Sequence, residues 1–154
     1  MITIGTARAV ADLSEGLVLS TVEVAVPPER AFHALASEEI THWWVRPGVF
    51  DTREWTGDVR PGGHWRASGQ ARGRSYVMDG AFSEVDAPQK LVHTWRLDGG
   101  DSSTVTYLVE PVEGGSRITL RHAGLDQRQT CANTCIGWET SFEALARLLG
   151  HQPA

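Results

Sequence analysis

The stretch CANTCIGWETSFEALARLL, residues 131–149, is the strongest structural signal in the sequence. Apolar side chains recur in it at intervals of four and three residues, which is the spacing of a single helical face. They are Cys131, Cys135, Trp138, Phe142, Leu145 and Leu149. Gly150 is typical of a helix end, and Asp126 with Gln129 predicts a capping box at the start. We therefore expect a long amphipathic helix that needs a large apolar surface to cover it.

Short apolar segments and turn signals alternate through most of the chain before this helix. The predicted strands are residues 16–26, 49–56, 63–69, 74–86, 90–98, 102–111 and 115–123. Gly and Pro separate the last six strands, so these strands are expected to form consecutive antiparallel hairpins. Pro28 opens a short helix, PERAFHALA, and Ser37 is the predicted N-cap of a second one, EEITHWW. The predicted order is β-αα-β6-α.

This order predicts an α+β fold in which a curved antiparallel sheet grips the C-terminal helix. A single sheet can cover that helix only by wrapping around it, while the two short helices close one end of the groove. A cavity remains where the helix does not fill the concave face. We expect one such domain at residues 16–150, an N-terminal extension at residues 1–15 and a short tail at residues 151–154.

Composition and charge limit the classes of function. A chain of 154 residues, 41% hydrophobic and 21% charged, is typical of one globular domain. A net charge of −5 excludes the generally basic surface that binds nucleic acid, and no apolar run reaches the roughly 18 residues of a membrane span. The first residues lack the features of a signal peptide, so a cytoplasmic protein is expected. The sequence also lacks the motifs of phosphate-binding loops, zinc proteases and serine hydrolases.

Several segments, taken together, resemble a known family. In chain order they are VAVPP (24–28), THWW (41–44), RPGGHW (60–65), GAFSEV (80–85), PQKLVHTW (88–95), TLRHAG (119–124) and GW (137–138). They resemble the START-like superfamily, also called SRPBCC or birch-pollen-allergen-like, and most of all its group of activators of the heat-shock protein 90 ATPase. The resemblance implies the helix-grip fold. It implies no catalytic set, because the superfamily contains ligand carriers, polyketide cyclases, lipid-transfer proteins and co-chaperone domains.

Aromatic residues are the main candidates for a binding site. The chain has six tryptophans, and a tryptophan suits a cavity wall because it offers a large apolar area and one N–H donor. The predicted ligand-binding residues are Trp44, Trp65, Met78, His93, Trp95, Tyr107, His122, Cys135, Trp138 and Phe142. Trp44 and Trp138 are the strongest candidates for contact with a ligand. The alternative is a bulky core that closes the cavity.

Two histidines are placed on the inner face of the sheet by the two-residue period of their strands. His93 shares its face with Leu91 and Trp95, and His122 shares its face with Leu120. A buried imidazole can contact a ligand, act as a general base, or be held by a neighbouring group. The sequence favours the last role for His122 and leaves the alternatives open for His93.

Three other residues with reactive side chains are expected to be structural. Cys131 and Cys135 lack further ligands nearby, so they are predicted to be buried apolar residues, with a reactive thiol on the cavity wall as the alternative. Asp79 is expected to point outward. The inner face of its strand is assigned to Tyr76, Met78, Gly80 and Phe82. No metal and no organic cofactor are predicted.

The first functional hypothesis is the binding of a small hydrophobic or aromatic molecule in a cavity between the sheet and the C-terminal helix. The second is a cyclase, hydrolase or lyase with an inward histidine as its base, so the enzyme class stays open. The third is a co-chaperone-like ATPase activator that contacts a chaperone through Arg60, Arg66, Arg72 and Arg74. Exposed strand edges also allow a homodimer. No nucleic-acid or membrane partner is expected.

Overall fold

The computed structural model describes residues 7–150 and contains one eight-stranded sheet and three helices. The strands are β1 (Arg8–Asp12), β2 (Leu17–Val24), β3 (Phe50–Gly57), β4 (His64–Ala71), β5 (Arg74–Asp86), β6 (Lys90–Leu97), β7 (Ser102–Val112) and β8 (Gly115–Ala123). The helices are α1 (Pro28–Leu35), α2 (Ile40–Trp43) and α3 (Arg128–Leu149). This architecture confirms the predicted α+β helix-grip fold.

The sheet is antiparallel throughout, in the order β1-β2-β8-β7-β6-β5-β4-β3. Strands β3 to β8 follow one another as hairpins, as predicted. Strand β2 then pairs with β8, which brings the start of the domain next to its last strand. Strands β1 and β3 are the two edges, so the sheet curves without closing into a barrel.

The predicted apolar face of α3 packs on the concave side of this sheet. Trp138, Phe142 and Leu145 are buried there, as are Cys131 and Leu149. The short helix α2 closes the groove with Trp43, whose indole N–H donates to the Ala34 carbonyl oxygen at the end of α1. Within residues 7–150, no helix is long and apolar enough to cross a lipid bilayer.

Strand β1 is an element that the sequence pattern does not predict. It lies inside the segment predicted as an N-terminal extension and pairs with β2 along its whole length. Its side chains are mostly exposed, so it lacks the alternation of apolar residues by which a strand is recognised. Backbone pairing holds it, together with a hydrogen bond from Ala9 N–H to Glu139 Oε2 on α3. The predicted tail at 151–154 lies outside the described residues.

Two predicted helix caps are wrong. Helix α3 begins after Gln127, and no side chain caps it. Asp126 therefore lies one residue too early to form the capping box. Ser37 is likewise displaced from the N-cap of α2, which is Glu39, although Ser37 Oγ accepts the Glu39 N–H at 3.2 Å. The prediction that Pro28 opens α1 is confirmed.

Truncation of Phe142 tests the packing of α3. Phe142 is fully buried, so Phe142→Ala is expected to lower the free energy of unfolding by about 3–5 kcal/mol through lost burial and a residual cavity. Ile136 lies on the same helix and is 47% exposed, so Ile136→Ala is the control and is expected to cost less than about 1 kcal/mol. Guanidinium unfolding curves measure both. Equal losses would contradict this packing.

Candidate functional site

The concave face of the sheet, α2 and α3 enclose a set of packed rings, called the aromatic cluster below. Neighbouring ring centroids lie 4.9–6.4 Å apart, the separation at which aromatic pairs attract each other. The members are Trp43, Trp44, Trp65, Phe82, His93, Trp95, Tyr107, His122, Trp138 and Phe142. The structure thus brings together eight of the ten predicted ligand-binding residues. The other two, Met78 and Cys135, lie outside these ring contacts.

Trp95 lies near the centre of the aromatic cluster. Its ring centroid is 4.9 Å from that of Trp44, 5.3 Å from that of His122 and 5.4 Å from that of Trp138. In the part of the chain that the structure describes, Trp95 is the one member of the cluster that is partly exposed, while the others are buried. The cluster therefore reaches solvent at Trp95.

The register of the sheet places the two inward histidines in one row. His93 on β6 lies opposite Val105 on β7, and Val105 lies opposite His122 on β8. The same row continues to Phe82 on β5 and to Val18 on β2. Both imidazoles therefore point into the groove from the concave face of the sheet, with the Val105 side chain between them.

His122 is held at both ring nitrogens. The Trp138 indole N–H donates to His122 Nδ1 at 3.0 Å, so Nδ1 carries no proton. The proton is on Nε2, which donates to Ser103 Oγ at 2.7 Å. Burial, followed by the nearby His93, lowers the pKa of His122 to about 3. The ring is neutral and fully hydrogen-bonded, as a structural histidine is.

His93 uses one ring nitrogen and leaves the other available. Its Nδ1 lies 2.8 Å from the Thr94 carbonyl oxygen, which can only accept, so Nδ1 carries the proton. Nε2 therefore has a free lone pair, and among residues 7–150 no donor reaches it. Burial lowers the pKa of His93 to about 4, against the opposing effect of the Thr94 hydrogen bond. His93 is a neutral acceptor and a weak base.

Two polar donor atoms of the aromatic cluster are shielded from solvent and make no hydrogen bond of good geometry within residues 7–150. They are Trp44 Nε1 and Tyr107 Oη, called the polar pair below. Tyr107 is fully buried and Trp44 is 2% exposed. Burial raises the pKa of Tyr107, and the Trp44 indole N–H opposes this shift because it lies near enough for a weak hydrogen bond to the phenol, although the contact lacks good hydrogen-bond geometry; the phenol stays protonated. An unsatisfied buried polar group costs about 1–3 kcal/mol, so such a pair requires an explanation.

The two predicted residues outside the aromatic cluster have other roles. Met78 is a buried residue on the inner face of β5. Cys135 is half-buried on α3, near Glu139, and burial followed by the Glu139 carboxylate raises the pKa of its thiol. Burial also raises the pKa of Cys131, so both thiols are protonated and poorly nucleophilic. Residues 7–150 contain no group of three or more His, Cys, Asp or Glu side chains that could hold a metal ion.

The outer face of the sheet carries an open depression of about 610 Å³ across β4, β5 and β6. Asp79 lies there, and its carboxylate accepts from Arg96 Nε at 2.9 Å and Nη2 at 3.0 Å, which lowers the pKa of Asp79. The prediction that Asp79 points outward is confirmed. It cannot orient either inward histidine.

The arginines proposed for a protein contact are exposed around the β4–β5 hairpin. Arg60 Nε donates to Asp58 Oδ2 at 2.6 Å, so its charge is partly compensated. Arg66, Arg72 and Arg74 are exposed on the hairpin itself, which places their charges on the outside of the domain. This charged surface is separate from the uncharged interior. A protein contact at these arginines stays a prediction.

Fold and interior together define a helix-grip domain with an aromatic, uncharged core. A sequence profile of the family described as Activator of Hsp90 ATPase homolog 1-like protein matches residues 25–150 of the chain. The protein belongs to this family, within the START-like superfamily. A comparison with curated proteins gave no match.

Solved structures of bacterial proteins share this fold. Protein Ms6760 from Mycobacterium smegmatis matches with a TM-score of 0.79 and 20% identity, covering 96% of this chain and 98% of its own. Protein CV1439 from Chromobacterium violaceum matches with a TM-score of 0.78 and 22% identity, covering 87% and 96%. An AHSA1 protein from Silicibacter pomeroyi matches with a TM-score of 0.73 and 27% identity, covering 86% and 96%. These likenesses concern the fold.

The two buried histidines predict a pH dependence of stability. Their pKa values of about 4 and about 3 in the folded state lie below the ordinary value of 6.5, so the unfolded chain takes up protons first as the pH falls. The free energy of unfolding should be nearly constant above pH 7. Between pH 6 and 5 it should fall, with each histidine contributing about 1.4 kcal/mol per pH unit. Denaturant unfolding at several pH values measures this slope.

A histidine variant tests whether the buried histidines cause this change of unfolding free energy with pH. His93→Gln removes one of the two titrating groups, so the slope between pH 6 and 5 should fall by about half. A wild-type stability that does not change between pH 7 and 5 would contradict the neutral, buried state of both rings.

Proposed function

We propose that the protein binds a small hydrophobic or aromatic molecule in the aromatic cluster, between the sheet and α3, without a metal or organic cofactor. The observation that carries this proposal is the polar pair of Trp44 Nε1 and Tyr107 Oη, which is buried and has no partner within the described chain. A structural core gains nothing from an unsatisfied donor, whereas a binding site needs a few polar groups to orient its ligand.

The ring most easily displaced by such a molecule is Trp95. The indole N–H groups of Trp43, Trp65 and Trp138 each donate to a protein acceptor, which fixes those rings in place. The indole of Trp95 makes no hydrogen bond to another residue in the 7–150 range, and this ring is partly exposed. We infer that outward rotation of Trp95 admits the ligand and leaves a space bounded by Trp44 and Trp138.

The chemistry of the interior favours binding over acid–base catalysis. A general base is most effective with a pKa near the working pH, whereas the pKa of His93 is about 4 and both nitrogens of His122 are already engaged. The carboxylate of Asp79 faces outward, and both cysteine thiols are protonated. A co-chaperone role would instead use the exposed arginines of the β4–β5 hairpin, and it offers no explanation for the polar pair.

Fluorescence of an uncharged aromatic probe, N-phenyl-1-naphthylamine, tests binding. We expect the probe to brighten with saturation on wild-type protein. Trp138→Leu and Trp44→Leu each remove a ring wall and should weaken binding roughly tenfold, since aromatic contacts contribute about 0.5–1.5 kcal/mol beyond buried area. Trp55 lies on β3 outside the ring contacts, so Trp55→Leu is the control and should bind as wild type.

Thermal unfolding of each variant shows whether the fold is kept. If folded Trp44→Leu and Trp138→Leu bind the probe with wild-type affinity, the ligand site lies elsewhere. Absence of saturable binding to the wild type would contradict the proposed function.

The kinetics of the same probe test access through Trp95. Trp95→Leu replaces the central, partly exposed ring with a smaller side chain, so the probe should associate several-fold faster than with wild type in stopped-flow measurements. Trp55→Leu serves again as the control. An unchanged association rate would mean that ligands enter by another route.

A further inference from the structure

We propose that the polar pair, Trp44 Nε1 and Tyr107 Oη, recognises the carbonyl oxygen of an uncharged aromatic ketone or aldehyde. This inference rests on the proposed function, because such a ligand has to occupy the aromatic cluster first. It adds the chemical class of the ligand and the two atoms that hold its polar group.

The position of the polar pair suits a planar ligand with one polar end. The Trp44 ring stands edge-on to the Trp138 ring, with an interplanar angle of 86° and centroids 6.3 Å apart. The Tyr107 ring stands at 84° to the same indole, with centroids 6.1 Å apart. Trp44 and Tyr107 therefore both contact the Trp138 ring. A ligand ring packed on Trp138 would therefore lie next to both residues that carry the polar pair.

The hydrogen-bonding capacity of the polar pair specifies an acceptor. An indole N–H can only donate, and the Tyr107 hydroxyl can donate as well as accept. A carbonyl oxygen has two lone pairs and no proton of its own, so one such atom satisfies both donors and leaves no new group unpaired. A neutral amine has one lone pair, so it can accept from only one of the two donors. A hydrocarbon would leave both donors of the polar pair unsatisfied.

The surroundings of the polar pair exclude a charged ligand. The buried polar side chains within residues 7–150 are Ser20, Thr52, His93, Ser103, Ser116, His122 and Ser141, and none carries a full charge at neutral pH. The titratable groups that face the site are therefore His93 and His122, both neutral, and the protonated Tyr107. A carboxylate moved into this interior would lose its hydration without gaining a counter-charge, which is strongly unfavourable.

Three naphthalenes of matched shape separate these possibilities by displacement of N-phenyl-1-naphthylamine at pH 7.5. They are 2-acetylnaphthalene, which has the carbonyl, 2-ethylnaphthalene, which lacks it, and 2-naphthoate, which is an anion. We expect the ketone to bind roughly tenfold more tightly than the hydrocarbon, because it satisfies two buried donors. The naphthoate should bind more weakly than either.

The variant Tyr107→Phe tests whether the polar pair causes the preference for the ketone over the hydrocarbon. This variant removes a hydroxyl that makes no hydrogen bond of good geometry within the described chain, so its loss should cost little stability and the fold should be kept. It should keep the affinity for 2-ethylnaphthalene and lose most of the preference for the ketone. Tyr76 lies outside the aromatic cluster and donates to the Asp51 carbonyl oxygen at 2.6 Å. Tyr76→Phe is the matched control and should keep the preference.

The outcomes distinguish this inference from the proposed function. Equal binding of the ketone and the hydrocarbon to wild type would overturn the inference while leaving an apolar binding site, and a water molecule bridging the polar pair would give this result. Tight binding of the naphthoate, or a ketone preference unchanged in Tyr107→Phe, would also overturn it. If the probe binds and none of the three naphthalenes displaces it, the carbonyl inference is wrong but the proposed function stands. If the probe does not bind to the wild type, the proposed function and the carbonyl inference are both wrong.

Discussion

The apolar face of α3 has to be kept from water by a sheet whose two edges, β1 and β3, do not meet. A closed barrel has no free strand edges, whereas an open sheet leaves its concave face to be covered by other elements. Helices α1 and α2 close one end, and the indole N–H of Trp43 joins them by its bond to the Ala34 carbonyl. Because the concave face is wide, bulky rings from both the sheet and α3 are needed to fill it. The aromatic cluster follows from this geometry.

Filling a core with tryptophan, tyrosine and histidine brings polar atoms inside, and each needs a partner. In this protein most of them have one. The chain of bonds from Trp138 through His122 to Ser103 satisfies three side chains with a single arrangement of protons. Trp44 and Tyr107 differ from these, although they lie in the same cluster. Neighbouring residues show that the fold can satisfy such groups, and this contrast is the reason for proposing a ligand at the polar pair.

Periodicity was sufficient to predict most of the fold and the composition of the interior. The two-residue period placed His93 and His122 inward, and the helical period placed Trp138 and Phe142 on the buried face of α3. It did not reveal β1, whose side chains are mostly exposed and whose pairing is made by the backbone. It also did not show which polar atoms would find partners. His122 bonds to residues 16 and 19 positions away, and such distances are fixed only by the register of the sheet and the position of α3.

The low polarity of the interior underlies the proposal that it binds an uncharged ligand and does not carry out acid–base catalysis. Burial keeps the two imidazoles neutral, and no carboxylate within the described chain faces them, since Asp79 is paired with Arg96 on the outer surface. A general base near neutral pH would require such a carboxylate to stabilise the imidazolium. A neutral carbonyl requires no counter-charge and needs only donors that are already in place. On the proposed function, an interior of this kind would distinguish ligands by a hydrogen bond and by the absence of charge.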